Sequence, residues 1–573
     1  MRLRRYQHRT THRNPDHQRS VLAIAMVSSI RPHGRVVSAR KIWDRFCSVN
    51  RLLHSMRSFF DCHICDERAE SAMEFLIAVV VLAGLIWAAA FARNFHRLDV
   101  NPILAGGVGI MVVGTVFGPS FLSIPAGPIP LTLDRVLIVG VIGLFAFRFL
   151  QGKEDLQVLS GADLAAIVML GILLFSTFTH DWSYQENLPL SRLLFFFILP
   201  LAVYFVTRNA RLGDRELKFV LIGFAILGGY LSLTAFAETR DWTWAVYPSY
   251  IMSTEVGEFL GRGRGPLHNP IVNGLLIILG TCSTMLLASH IGRYQKLLIP
   301  IGIFTLVGCL GTFATLTRIV WLSLLVSLSG LIWSSLRGTP RRLFTVLVIA
   351  GAIGVVGVAQ SGALNSFKRD KNVTTHQMSQ SAGLRVVFFV IAKEMFADKP
   401  ITGHGFAQYT KVRDNYIRPL DAGNVETTLG SDYIQHNIVL SFLTETGLLG
   451  ALALLTVLAT LMHAGWAVWM NPNQSLVAQQ IGLLTIICIG VYFLCGMFQD
   501  FTVIPMGNMI LFFVGGLASN LHSKNRALEQ SPTSMANPSS QSSQSNLANE
   551  LIPGAQPPNT RPEFARVGTV VNL

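Results

Sequence analysis

Charge is what this chain has least of. Only 14% of its 573 residues are Asp, Glu, Lys or Arg, against about 25% in soluble proteins, which excludes a water-exposed surface over most of its length. A period-two alternation of apolar and polar residues is also missing, so an outer-membrane barrel is excluded. Cysteines number seven, and none falls in an outer loop where a disulfide framework would need it. Cys282, Cys309, Cys488 and Cys495 sit inside apolar runs as small packing residues. The lone Cys62-His63-Ile64-Cys65 has no second ligand pair at zinc-site spacing, and no metal site is expected. Charge is scarce in the middle of the apolar runs too, with Glu445 the main exception and Asp163 near a run's end. An ion-coupled transporter would need such groups.

What is there is hydrophobic length. Apolar residues make up 51% of the chain and mean hydropathy is +0.46. Runs of the length needed to cross a bilayer, about 20 residues, fall at 74–92, 101–117, 133–150, 162–179, 190–206, 217–237, 270–289, 297–315, 318–336, 342–360, 437–461, 479–499 and 503–521. Only helices satisfy their own backbone in lipid. The expectation is an all-α polytopic integral membrane protein with about 12–13 transmembrane helices and one large external loop containing short helices. Residues 73–360 form a first bundle, 361–436 the loop and 437–521 the closing helices. The Pro-rich stretch Pro119–Pro130 is where this count is least secure.

Basic residues in short connections set orientation. Arg208, Arg211, Arg215 and Lys218 crowd one connection, and Arg148/Lys153, Arg293/Lys296 and Arg337/Arg341/Arg342 fall on the same side, expected to be cytoplasmic. The alternate connections, such as 179–190 with Trp182 and Tyr184, carry few basic residues and belong outside, together with 361–436. Residues 1–72 break the pattern with fourteen Lys or Arg against six acids. Translocating so basic a segment is unfavourable, and the mature chain is expected to begin near Met73. The overall charge of +14 is therefore not read as nucleic-acid binding. The Ser-, Gln- and Asn-rich stretch 522–573 is expected to be a disordered cytoplasmic tail.

Polar groups gather on the outer side. Gly261-Arg262-Gly263-Arg264-Gly265-Pro266-Leu267-His268-Asn269-Pro270 leads into one span, with Asn273 a turn further on. Its glycines allow close approach and Arg264 suits a phosphate; lipid headgroups would satisfy the same arginines. Arg318 opens another span at its outer end, where an arginine is either a snorkelling anchor or a ligand. In the large loop, Arg385 begins an apolar-faced helix over 386–397, stopped by Asp398-Lys399-Pro400, and Gly403-His404-Gly405-Phe406 follows. His436-Asn437 stands at the entrance of the next span, where an imidazole can take a proton from a hydroxyl at neutral pH. An interfacial histidine paired with Asn or a carbonyl is the other reading.

Three stretches together resemble the O-antigen ligase and polymerase superfamily of bacterial envelope glycosyltransferases. They are the Arg318 span start, Arg385 through Lys399-Pro400-Ile401-Thr402-Gly403-His404-Gly405-Phe406, and His436-Asn437 through Glu445-Thr446-Gly447-Leu448-Leu449-Gly450. The resemblance implies a GT-C-like fold in the bacterial inner membrane, with no cofactor and an active site facing the periplasm. It implies a polyprenyl-diphosphate-linked oligosaccharide as donor and a glycan or lipid acceptor. Arg385 and His436 would then be catalytic, with Arg318, Arg264, His404, Asn437 and Glu445 binding substrate. The family usually has about twelve spans with both ends inside, whereas thirteen are counted here. A flippase for lipid-linked glycan and a non-catalytic assembly scaffold are the competing readings.

Overall fold

The computed structural model describes residues 100–117, 123–126, 129–184, 188–254, 259–290, 298–360, 375–417, 435–501 and 504–529. The first expected span, the basic N-terminal stretch, the Cys62/Cys65 pair and the C-terminal tail beyond 529 lie outside them.

From residue 101 onward, each expected span corresponds to helix. In chain order they are α1 (Pro102–Val116), α2 (Leu133–Leu150), α3 (Gly161–Phe178), α4 (Pro189–Asn209), α5 (Asp214–Glu238), α6 (Pro270–Ala288), α7 (Leu298–Ala314), α8 (Arg318–Ser335) and α9 (Thr339–Gln360). After the loop helix α10 (Thr375–Asp398) come α11 (Ile438–Glu445), α12 (Gly447–Met470), α13 (Leu476–Gly496) and α14 (Pro505–Glu529). Among the described residues, α3, α4, α5, α6, α8, α12 and α13 are long and apolar enough to cross a membrane, and α1 and α7 are shorter apolar helices. The eighteen residues of α3 rise about 27 Å, close to the hydrocarbon thickness. The protein is a multi-pass helical membrane protein.

Caps define several starts. Asn101, Asn269, Asn437 and Ser475 accept from backbone N–H groups at the heads of α1, α6, α11 and α13. Ser160 and Asp163 form a capping box on α3. Helices α6 and α13 are the most enclosed, and α5 crosses α6 with Gly228 against Gly280, where any Cβ would strike the other backbone. Apolar residues at the outside of the bundle, such as Ile303 and Leu306 of α7 and Val346 and Leu347 of α9, are exposed, as a lipid solvent permits.

Four boundaries differ from expectation. The Pro-rich stretch contains a two-stranded antiparallel hairpin, Ser123–Ala126 with Ile129–Thr132, with Pro125 opposite Pro130; proline cannot continue a helix there. The loop helix begins at Thr375, well before Arg385. The last helix runs to Glu529, past the boundary expected at 521. Most consequential, the single span expected at 437–461 is two helices, interrupted at Thr446.

Polar networks sit at both ends of the bundle. At one end Glu154 accepts from Asn101, from Arg148 Nε at 2.9 Å and from Arg211 N–H at 3.0 Å. Nearby, buried Asp163 pairs with Arg208 and accepts the Tyr204 hydroxyl at 2.8 Å. Some of the basic residues that set the expected orientation are thus spent on internal pairing. The opposite end carries Arg192, Asn269, Arg318, Asn437 and the loop helix.

Candidate active site

The site is built where the broken span meets the loop after α10. An interrupted helix leaves backbone groups without partners, and in a membrane protein such groups must be satisfied from within. The loop supplies what α11 and α12 lack. His404 N–H donates to Thr444 O at 2.9 Å and Gly405 N–H to Glu445 O at 2.8 Å. In return Leu448 N–H donates to Pro400 O at 2.8 Å and Leu449 N–H to Ile401 O at 3.3 Å. The contact is backbone against backbone, so it needs glycine. Gly403 and Gly447 have φ of 68° and 65°, and a Cβ on either would collide with the other strand of the contact. Gly447 thus meets the loop, its missing Cβ leaving room for the Ile401 carbonyl.

Beneath this junction lies a buried ion cluster. Arg192 Nη1 is 2.9 Å from Glu445 Oε1, and its Nη2 is 3.6 Å from Asp500 Oδ2. Ala407 N–H also donates to the Glu445 carboxylate, and the Arg192 guanidinium lies 5.0 Å over the Phe406 ring. Arg192 precedes a π-helical turn, Leu194–Ile198, whose Phe196 carbonyl accepts from Asn508 at 2.8 Å. Two irregular helices, α4 and α11, therefore meet across one ion pair. Sequence reading missed Arg192 and Asp500. A single arginine heading an apolar run and a single acid between two spans carry no pattern that marks them.

Above the junction, α10 presents Arg385 and Phe388 one turn apart. The Arg385 guanidinium lies 5.1 Å over Phe498. Removal of water and the nearby positive charge of Arg318 both pull its pKa below the ordinary arginine value, which places the two arginines as neighbours despite 67 residues of separation. Both are exposed. His436 is half-buried and meets Phe388 edge-on, ring centres 5.7 Å apart. Asn437 binds Val439 and Leu440 N–H through its side-chain oxygen and donates to Met497 O at 3.2 Å. The stretch Met497–Phe498 thus links the His436 turn to Arg385.

The seven expected site residues separate into groups. Arg385 lies over Phe498, His436 meets Phe388 a turn further along α10, and Arg318 is close enough to Arg385 to act on its charge. Asn437 caps α11 beside them. Glu445 belongs to the ion cluster. His404 lies at the far end of α10, where its Nε2 is 3.0 Å from Met395 O and its ring meets Tyr416 edge-on. Burial, ahead of the Met395 bond, lowers its pKa and favours the neutral ring. Arg264 is fully buried, paired with Glu238 and donating to the Ile251 and Ser253 carbonyls, away from the solvent that reaches Arg318 and Arg385.

Two exposed guanidiniums close enough to repel one another favour a ligand with at least two negative charges. An imidazole next to them can accept or donate a proton. Residues 303–455 match the family described as O-antigen ligase, and that segment contains Arg318, Arg385, His436 and both halves of the backbone junction. No curated protein matches the chain.

Proposed function

We propose that this multi-pass membrane protein, which carries an O-antigen ligase segment over residues 303–455, transfers a glycan from a polyprenyl-diphosphate-linked donor to an acceptor hydroxyl. The observation that carries the reading is that Arg318 acts on the charge of Arg385 while His436 packs on Phe388, one turn from Arg385 on α10. Breaking the anomeric carbon–oxygen bond leaves negative charge on the lipid diphosphate. Arg318 and Arg385 stabilise that charge as it develops, and Phe498 holds the Arg385 fork in place through its ring face. His436 takes the proton of the attacking hydroxyl, and Asn437 fixes the backbone on which it stands.

In this reading the site faces the periplasm of a bacterial inner membrane, since the basic connections gather at the opposite end of the bundle. Asn437 and Glu445 act on substrate indirectly, through helix α11, and His404 holds the loop.

Reconstitution of the full chain with a polyprenyl-diphosphate oligosaccharide and a sugar acceptor tests the proposal. Wild-type protein is expected to extend the acceptor, and Arg385→Ala and His436→Ala to lose transfer at normal membrane abundance. Undiminished product from both variants would sink the site assignment. Donor that moves across the bilayer with no new glycosidic bond would favour the flippase.

A further inference from the structure

Arg264 and Glu238 lie outside the matched segment, yet they reach Arg318 through a short run of backbone. Glu238 ends α5 and is buried against Arg264, with Nε–Oε1 at 3.3 Å. Its other oxygen accepts Gly265 N–H at 3.0 Å. Arg264 Nη2 donates to Ile251 O at 2.9 Å and Ser253 O at 2.7 Å, and Asn273 donates to Gly263 O at 2.9 Å. The turn 261–269 is thereby pinned to the ends of α5 and α6. From it, Gly263 donates its N–H to Ala314 O at 2.9 Å, the last carbonyl of α7. A Cβ on Gly263 would run into Ala235, so the turn is pressed flat on α5.

Between Ala314 and Arg318 the chain makes a tight reversal. Leu316 has φ of 50°, a left-handed conformation that L side chains resist. The turn is braced from its own side by Thr317 Oγ1 donating to Thr315 O at 2.9 Å and by Trp321 Nε1 donating to Phe313 O at 3.1 Å. The ring of Phe313 stacks on Trp321 with centres 4.5 Å apart. Strained residues persist only where their surroundings over-determine them, and Gly263 supplies the brace from the other side.

We propose that the buried Glu238–Arg264 pair is the positioning device for Arg318, holding the strained turn Thr315–Thr317 in the shape that sets the Arg318 guanidinium beside Arg385. Arg264 then acts through the backbone and touches no substrate. A buried pair is suited to this because its geometry is specific: one planar fork meets a carboxylate and two carbonyls at once. A lysine at 264 keeps the charge but cannot reach all three. The part of this inference that concerns diphosphate rests on the proposed function; the part that concerns Arg318 does not.

The test uses purified full chain in detergent and the arginine-directed reagent phenylglyoxal, with modification read at each arginine by peptide mass spectrometry. In Arg264→Lys and Glu238→Gln, the rate at Arg318 is expected to change by about threefold or more. The rate at buried Arg208, at the opposite end of the bundle, should stay at the wild-type value and report an intact fold. An unchanged Arg318 rate in both variants overturns the proposal. Should both single variants unfold, raising the Arg208 rate as well, the paired Arg264→Met/Glu238→Met variant removes both buried charges together and is judged by the same criterion. Inorganic pyrophosphate forms a second arm. It should slow modification of Arg318 in wild-type protein, with the half-protecting concentration rising about tenfold in Arg264→Lys. Pyrophosphate that protects neither Arg318 nor Arg385 in wild-type protein counts against the diphosphate reading, and the unliganded rates still decide the positioning role.

Discussion

Arg385 and His436 make different demands on a replacement. Arg385 offers a flat fork that lies on Phe498, and a lysine would keep its charge without its stacking or its two-point grip. Arg385→Lys is therefore expected to retain part of the transfer rate, and Arg385→Ala to lose about 100- to 1,000-fold, the usual worth of a donor aimed at developing charge. Equal rates for the two variants would speak against a diphosphate held by geometry. His404 calls for a different measurement. Burial holds its pKa below 6.5, so the folded state binds a proton less readily than the unfolded one. Stability should then be complete above about pH 6.5 and fall as the pH drops below it. His404→Gln should flatten that acid-side loss in a thermal-melt series from pH 7.5 to 5.5; an identical slope in both proteins would refute it. At this scale the sequence can mark Arg318, Arg385 and His436 because charge stands out against apolar surroundings; whether they act on substrate is what the Arg385 and His436 variants test. At Arg264 it could not separate ligand from structure, because a glycine-flanked arginine reads the same whether its fork meets a ligand or two carbonyls. It was silent at Arg192 and Asp500, whose partner Glu445 is remote in the chain.

Among the elements, the interrupted span is the one whose energetics can be separated. Removing one member of a buried pair strands the other, which costs about 3–5 kcal/mol, whereas replacing both by apolar groups is often neutral. Arg192→Met should accordingly destabilise the protein far more than Glu445→Gln, since it takes the cation from both Glu445 and Asp500, whereas Glu445→Gln leaves Arg192 beside Asp500. Comparable losses in the two variants, measured by thermal unfolding in detergent, would show that the ion cluster does not set stability. Gly403→Ala tests the backbone contact itself. Its left-handed φ and the Glu445 carbonyl in its path predict a loss of about 1–3 kcal/mol, with chymotrypsin cutting after Phe406, buried in the intact protein, as the local readout. Hydropathy could not reveal this break. Apolar residues continue on both sides of Thr446, and the two backbone strands that complete each other are some forty residues apart. The motif resemblance did single out both strands, 399–406 and 445–450, but gave no reason for their company. The hydrogen bonds between them are that reason.

For the whole molecule, helix type and approximate boundaries were legible because length and apolarity alone decide which segments cross a bilayer. The hairpin at 123–132 escaped because proline reports only where a helix cannot be. Orientation is testable by single cysteines placed in a variant lacking the native ones. A cysteine at exposed Trp182 should react with an impermeant maleimide added to intact spheroplasts, and one at exposed Lys153 only after lysis. The reverse pattern would place the arginine pair on the cytoplasmic side. The broken span also constrains the order in which the chain can be assembled. Arg192 and the loop 399–407 are both synthesised before Glu445, and only Asp500 follows it. A ribosome therefore delivers an eight-residue helix ending in a buried carboxylate into the membrane at a moment when nearly every group able to receive it already exists. Chains lacking Arg192 would meet that moment unprepared, and their fault should show during insertion, as α12 left exposed to the quality-control proteases of the membrane, before any glycan is transferred.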